Sequence, residues 1–190
     1  MNRCGALLGL VLVAKLLLAP LDVLADSKGQ PAGEYRVKAA FLYKFLDFVG
    51  LPEKAGEEKV ASLCILGKDP FGSFFEAVEG RPVGSSGRVL KVHRLARDAS
   101  AQELRKCALL FVARSESESV RDVLEKVRKY PVLTVSETSG FVEAGGIINL
   151  VVRNRKVRWE VNYDAVEEAG LRLSSQILRN AVRVLRRQED

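Results

Sequence analysis

The sequence predicts an α/β fold: a single compact domain, mainly a parallel sheet flanked by helices, with a C-terminal β-hairpin and a terminal amphipathic helix. Three observations carry that expectation. Between Val60 and Val135 short apolar runs alternate with capped helical segments, the pattern that builds parallel strands through right-handed crossovers. After Gly145-Gly146 two apolar runs follow one another directly, Ile147–Val152 and Val157–Val161, across the basic turn Arg153–Lys156. That arrangement reads most simply as an antiparallel hairpin at a sheet edge. The length, 190 residues, suits one domain.

The first 25 residues read as a secretory signal rather than as part of the fold. Arg3 supplies a positive start, Leu7–Leu18 an apolar stretch interrupted by Lys15, and Val23-Leu24-Ala25 a small-residue cleavage site before Asp26. A membrane anchor needs roughly 20 apolar residues in a row; Lys15 and Asp22 break this stretch, so no stable membrane insertion is expected. Cys4 precedes the apolar stretch, away from where a lipid-modified cysteine would stand. Cleavage lowers the formal charge from +6 to +5. An excess that modest permits an acidic partner or a membrane surface and gives no argument for nucleic acid. Residues 26–33, with Gly29, Pro31 and Gly33, read as a disordered mature N-terminus, leaving 34–190 for the domain. Two cysteines then remain, Cys64 and Cys107, both in apolar runs. In an oxidising compartment they read first as a disulfide, with two buried free thiols as the other reading.

Glu34–Val49 is expected to be a helix, with Val37, Phe41, Leu42, Phe45, Phe48 and Val49 on one arc. Lys38 falls inside that arc and must snorkel, pair with a carboxylate or meet a partner; snorkelling from the first turn is the simplest account. Pro52 and the charged segment to Lys59 end the helix. Val60–Leu66 is a strand, and the GKDPFG turn leads to a short helix with Ser73 and Glu76 in capping-box spacing. That turn lacks the Lys-Ser/Thr of a phosphate loop. Val89–Val92 is a strand, Ser100 and Glu103 form a second capping box, and Cys107–Val112 is a central strand. Ser115 and Glu118 cap a helix running to Lys129, which Pro131 stops. Val132–Val135 is the next strand. Asp164 caps a short helix ended by Gly170, and Ser174–Arg187 is the terminal amphipathic helix, with Arg179, Arg183 and Arg186 outward.

Chemistry-bearing patterns are sparse. His93, flanked by Lys91 and Arg94, is the one histidine, and no Cys/His pair has zinc spacing. No Gly-x-Ser-x-Gly elbow exposes a nucleophile. Gly145-Gly146 lacks a dinucleotide-binding frame and reads as a tight turn needing positive φ. No catalytic residue, metal or cofactor is expected.

The stretches EYRVKAAFLYKFLDFVGLPE, CILGKDPFG, CALLFVARSE and PVLTVSETSGFVEAGGIINLVVRNRKVRWEVNYDAVEEAGLRLSSQILRNA together resemble the YfiR family of periplasmic proteins. The resemblance runs from Glu34 to about Val184. It implies a compact α/β domain that acts in the periplasm as a repressor of a membrane-bound diguanylate cyclase, lowering cyclic-di-GMP and biofilm formation. It would also place a disulfide at Cys64 and Cys107. A second bond found in family members has no counterpart, because Phe141–Asn162 contains no cysteine. Where members often have Trp-Pro, this chain reads Leu51-Pro52.

The expected function is therefore regulation by binding, which works by differential affinity for two states of a partner. Candidate contact residues are Lys38, Tyr43, Arg155, Arg158 and Trp159, although Trp159 alternates with Val157 and Val161 and reads first as core. The expected partner is the periplasmic portion of the cyclase, with a second copy of the chain as a further candidate. The alternative is a periplasmic small-ligand-binding module reporting to another receptor, such as a histidine kinase. A hydrolase using converging carboxylates is the third class.

Overall fold

A computed structural model describes residues 32–50, 59–84 and 87–187. The expected signal segment 1–25, most of the expected mature N-terminus, and Pro52 with its charged neighbours lie outside these. The chain opens with α1 (Ala32–Phe48) and β1 (Val49–Gly50), then β2 (Val60–Leu66), a 3-10 turn at Gly72–Ala77, β3 (Pro82–Val83) and β4 (Arg88–Leu95). There follow α2 (Ala101–Leu104), β5 (Leu109–Val112), a 3-10 segment at Arg114–Ser119, α3 (Val120–Val127) and β6 (Leu133–Ser136). The hairpin β7 (Ile148–Arg153) and β8 (Lys156–Asn162) precedes α4 (Tyr163–Glu168), β9 (Arg172–Leu173), α5 (Ser175–Arg179) and β10 (Arg183–Leu185).

Eight strands form one sheet in the order β10-β8-β7-β6-β5-β2-β4-β3. Strands β4, β2, β5, β6 and β7 are mutually parallel. In order of appearance they run second, first, third, fourth, fifth, the arrangement of flavodoxin-like open sheets. The expected α/β class and mainly parallel sheet are what the chain forms. β5 and β6 are buried at every position, as strands covered on both faces must be. On one face Leu63, Ile65, Phe111, Val135 and Leu150 pack with Ala39, Leu42 and Phe45 of α1. On the other, Leu110 and Val112 pack with Leu104 of α2 and with Val120, Val123, Leu124 and Val127 of α3. There Cys64 and Cys107 form a disulfide, with Cα atoms 5.8 Å apart and a sequence separation of 43. Closing a loop of that length contributes about 4 kcal/mol on the chain-entropy account.

Several local expectations are corrected. The terminal helix is only Ser175–Arg179; the chain then extends, the Val182 N–H donates to the Trp159 carbonyl at 2.9 Å, and β10 pairs parallel with β8. The open edge of β8 offers unpaired backbone groups, and satisfying them outweighs helical periodicity. For the same reason the β7–β8 hairpin is not the sheet edge. Its turn has Asn154 at φ 50° and Arg155 at φ 60°, the two positive values of a type I′ turn. The core arc of α1 is rotated from the expected one: Val37 is 43% exposed, while Ala39 and Leu46 are buried. Ser100 and Glu103 do form the capping box, but Ser73 and Glu76 do not. There Asp69 accepts the Phe71 N–H at 2.7 Å instead, and the turn is 3-10. Ser115 caps no helix and bonds across to Lys68. Asn162, not Asp164, caps α4 by accepting the Ala165 N–H at 3.1 Å.

Candidate functional site

Open parallel sheets bind ligands outside the carboxyl ends of their strands, where the winding reverses. Here that point lies between β2 and β5, and the chain fills it with its own charged groups. Gly67 follows β2 at φ 90°; a Cβ there would stand 2.4 Å from Ser115 Oγ and 2.6 Å from Glu116 Oε1. The missing side chain lets the residues after β5 close over the crevice. The Lys68 N–H donates to Ser115 Oγ at 2.9 Å, and Ser115 Oγ donates to Glu116 Oε1 at 2.9 Å. Glu116 is 3% exposed, and the Arg97 Nε–H donates to its Oε2 at 2.9 Å. A carboxylate so buried stands only because each oxygen is satisfied.

A second cluster fills the neighbouring position, beyond β6. The Glu137 side chain is 2% exposed and meets the ammonium of Lys38, itself 1% exposed. Lys38 also meets Glu34, four residues earlier on α1. The Tyr35 hydroxyl donates to Glu137 Oε1 at 2.8 Å, and Arg114 Nη2 lies 3.6 Å from Oε2. The Lys38 ammonium also lies 4.9 Å from the centroid of the Tyr35 ring. Burial, then the bond to Glu137 and its negative charge, push the Tyr35 phenol up to about 12. These groups tie the first two turns of α1 to the carboxyl edge of the sheet. The cluster is built to hold a helix down, with its charges turned on one another.

Elsewhere Arg183 bridges Glu160, at 2.9 Å, and Glu143. These bonds hold the guanidinium protonated above its ordinary value and Glu143 below the usual carboxylate range. A cleft of about 270 Å³ opens between the end of α3 and α4, lined by Arg128, Thr134, Glu143, Asn162 and Glu168. Arg128 spans it to Glu168 at 3.1 Å. Among the described residues no group of three or more His, Cys, Asp or Glu side chains could hold a metal ion.

The five candidate contact residues are not brought together. Lys38 is buried and paired, which overturns the snorkelling account: Glu34 and Glu137 both meet its ammonium and offset the cost of taking it out of water. The Tyr43 hydroxyl donates to the Pro82 carbonyl at 2.6 Å, beside β3. Trp159 is 8% exposed, lies edge-on to Phe41 and Phe45, and donates from Nε1 to the Ile177 carbonyl at 2.9 Å. Arg155 is exposed at the hairpin turn, and Arg158 is half-buried on β8. Sequence reasoning missed Glu137, Arg114, Glu116 and Arg97. A signal existed: Ala113-Arg114-Ser115-Glu116 and Ser136-Glu137-Thr138 both follow buried strands at the carboxyl edge, where polar side chains of a parallel sheet gather.

A family model described as YfiR/HmsC-like matches residues 35–182. No curated protein matches the chain. Among solved structures, a conserved domain protein from Vibrio cholerae is 9% identical with a TM-score of 0.50, over 80% of this chain and 60% of that one. The ABC domain from Streptococcus pneumoniae, solved with L-Trp, is 12% identical with a TM-score of 0.46, over 66% of this chain and 55% of that one. The chain thus spans less than two thirds of either structure. The first likeness concerns the fold alone, and the second carries no argument.

Proposed function

The chain belongs to the YfiR/HmsC-like family, and from that premise we propose that it is a periplasmic regulator that binds the periplasmic portion of a membrane diguanylate cyclase and holds it inactive. The family match across residues 35–182 carries this reading. The carboxyl edge is consistent with it: the position where such sheets take a ligand is occupied by Arg97–Glu116 and Lys38–Glu137. A protein that acts this way changes nothing covalently. It binds one state of its partner more tightly than the other, and about 1.4 kcal/mol of difference shifts the balance tenfold. The disulfide suits an oxidising compartment. In this reading Arg155 and Arg158 are surface cations available for contact. Tyr43 fixes the start of β3, and Lys38 and Trp159 act indirectly by holding α1 and the hairpin in place.

The test is cellular cyclic-di-GMP in a deletion strain, complemented with the intact gene or with one lacking residues 2–25. The expected result is a rise on deletion that only the exported form reverses. An unchanged level across several growth conditions would move the reading to a ligand-binding module that shares only the fold.

A further inference from the structure

Four cations are concentrated in the β7–β8 hairpin, and among the described residues no carboxylate answers them. In the hairpin, Arg153 stands opposite Lys156, and Val151 opposite Arg158. Side chains alternate between faces along a strand, so Arg153, Lys156 and Arg158 share one face of the sheet, and Arg155 sits in the turn. Arg153, Arg155 and Lys156 are exposed, and Arg158 is half-buried. Among the described residues none of the four is ion-paired with an acid. Glu160, the carboxylate on the same face, is already held by Arg183, and Arg158 donates only to its neighbour's carbonyl, at 3.2 Å.

This arrangement weakens the hairpin it belongs to. Like charges directly opposite across a strand pair destabilise it. A non-glycine residue at φ 60°, as at Arg155, occupies a position that type I′ turns prefer to give to glycine. Residues that cost the fold stability, with no internal contact in return, point to something outside it.

The shape indicates what that is. A protein partner is normally gripped by aromatic anchors in a packed patch, but the aromatic residue of this hairpin, Trp159, is turned into the core. What projects is a narrow basic turn; Val152, 46% exposed, pairs with Val157 on the opposite face from the three strand cations. Long cations at the tip and along one face, with no fixed bidentate geometry, fit a plane of phosphates better than one shaped pocket. We propose that the β7–β8 hairpin docks the protein tip-first onto an anionic phospholipid surface, with Arg153, Arg155, Lys156 and Arg158 among the phosphates. The inference does not depend on which membrane protein is regulated.

The test is co-sedimentation of the exported protein with phosphatidylglycerol–phosphatidylethanolamine vesicles and with phosphatidylcholine vesicles, at rising salt. Partitioning onto the anionic vesicles alone is expected, falling steeply with ionic strength. Each cation near such a surface contributes about fivefold, so R153Q/R155Q/K156Q/R158Q should lose roughly two to three orders of magnitude. K91Q/K106Q/R121Q/K129Q, with the same net charge but cations removed elsewhere, should keep most of the binding. Cooperative thermal melts no lower than that of the wild type would show that both variants fold, and relief of the Arg153–Lys156 repulsion should if anything raise that of the hairpin variant. The proposal is overturned if the wild type ignores anionic vesicles, if it binds neutral ones equally, or if the two variants lose binding alike. It also fails if the hairpin variant relieves repression in cells although the wild type never binds vesicles; the hairpin would then serve an acidic protein.

Discussion

Replacing Lys38 by methionine keeps the volume of the side chain and removes a charge from a site that is 1% exposed. Glu137, 2% exposed at its side chain, then keeps the Tyr35 hydroxyl at 2.8 Å and the Arg114 guanidinium at 3.6 Å. Removing one member of a buried ion pair costs about 3–5 kcal/mol, because the other charge is left uncompensated. The two remaining partners place this case near the lower end, about 3 kcal/mol. For a domain of this size that is a fall in Tm of roughly 6–12 °C. Lys38→Met/Glu137→Met removes the two most buried charges and leaves the more exposed Glu34, and an apolar pair of similar volume is often close to neutral. The double variant should therefore be more stable than Lys38→Met alone, with a coupling of about 2 kcal/mol. The assay is urea unfolding of the oxidised protein followed by fluorescence of its single tryptophan, which lies against α1. A Lys38→Met loss below about 0.5 kcal/mol, or a double variant that loses the sum of its parts, would refute the reasoning.

Two further outcomes are expected. A Cβ on Gly146 would stand 2.1 Å and 2.3 Å from ring atoms of Phe141, which is fully buried. Gly146→Ala should cost about 3 kcal/mol by overpacking, and a loss under about 1 kcal/mol in urea unfolding would mean that the ring slips aside at little cost. For Tyr35 the folded value, about 12, lies above the ordinary value of 10.0. The neutral phenol is thus the form the fold favours, and its contribution is complete below pH 10 and lost as pH rises toward 12. One of the four tyrosines should ionise late in an ultraviolet titration, and Tyr35→Phe should abolish that late step. A late step that survives the substitution would assign it to another residue.

The class of the fold was legible because the apolar runs at Val60, Cys107 and Val132 are continuous, and continuous runs separated by capped helices allow few other arrangements. The Arg153–Lys156 turn was legible for a similar reason, since two β-branched runs separated by four polar residues have one simple solution. What failed was decided by groups that sequence separation hides. Ser174–Arg187 has helical periodicity throughout, but from Val182 onward the open edge of β8 decides its conformation. Lys38 was correctly marked as anomalous on an apolar arc. Its partner Glu137 lies 99 residues away and could be named only once the strand order was known. The same holds for Glu116 and Arg97, whose pairing depends on β2, β4 and β5 ending side by side.

Trp159 lies against Phe41 and Phe45 near the start of the described chain and bonds the Ile177 carbonyl near its end. A chain delivered N-terminus first presents α1 long before either late element exists. The sides of Phe41 and Phe45 that meet Trp159 stay open while more than a hundred residues follow, and β10 cannot dock until β8 is in place. Contacts of such long range make for slow closure, and an exposed aromatic helix beside unfinished strand edges is where such chains stick to one another. The fold is thus sealed late, and through that interval its yield depends on whatever shelters α1.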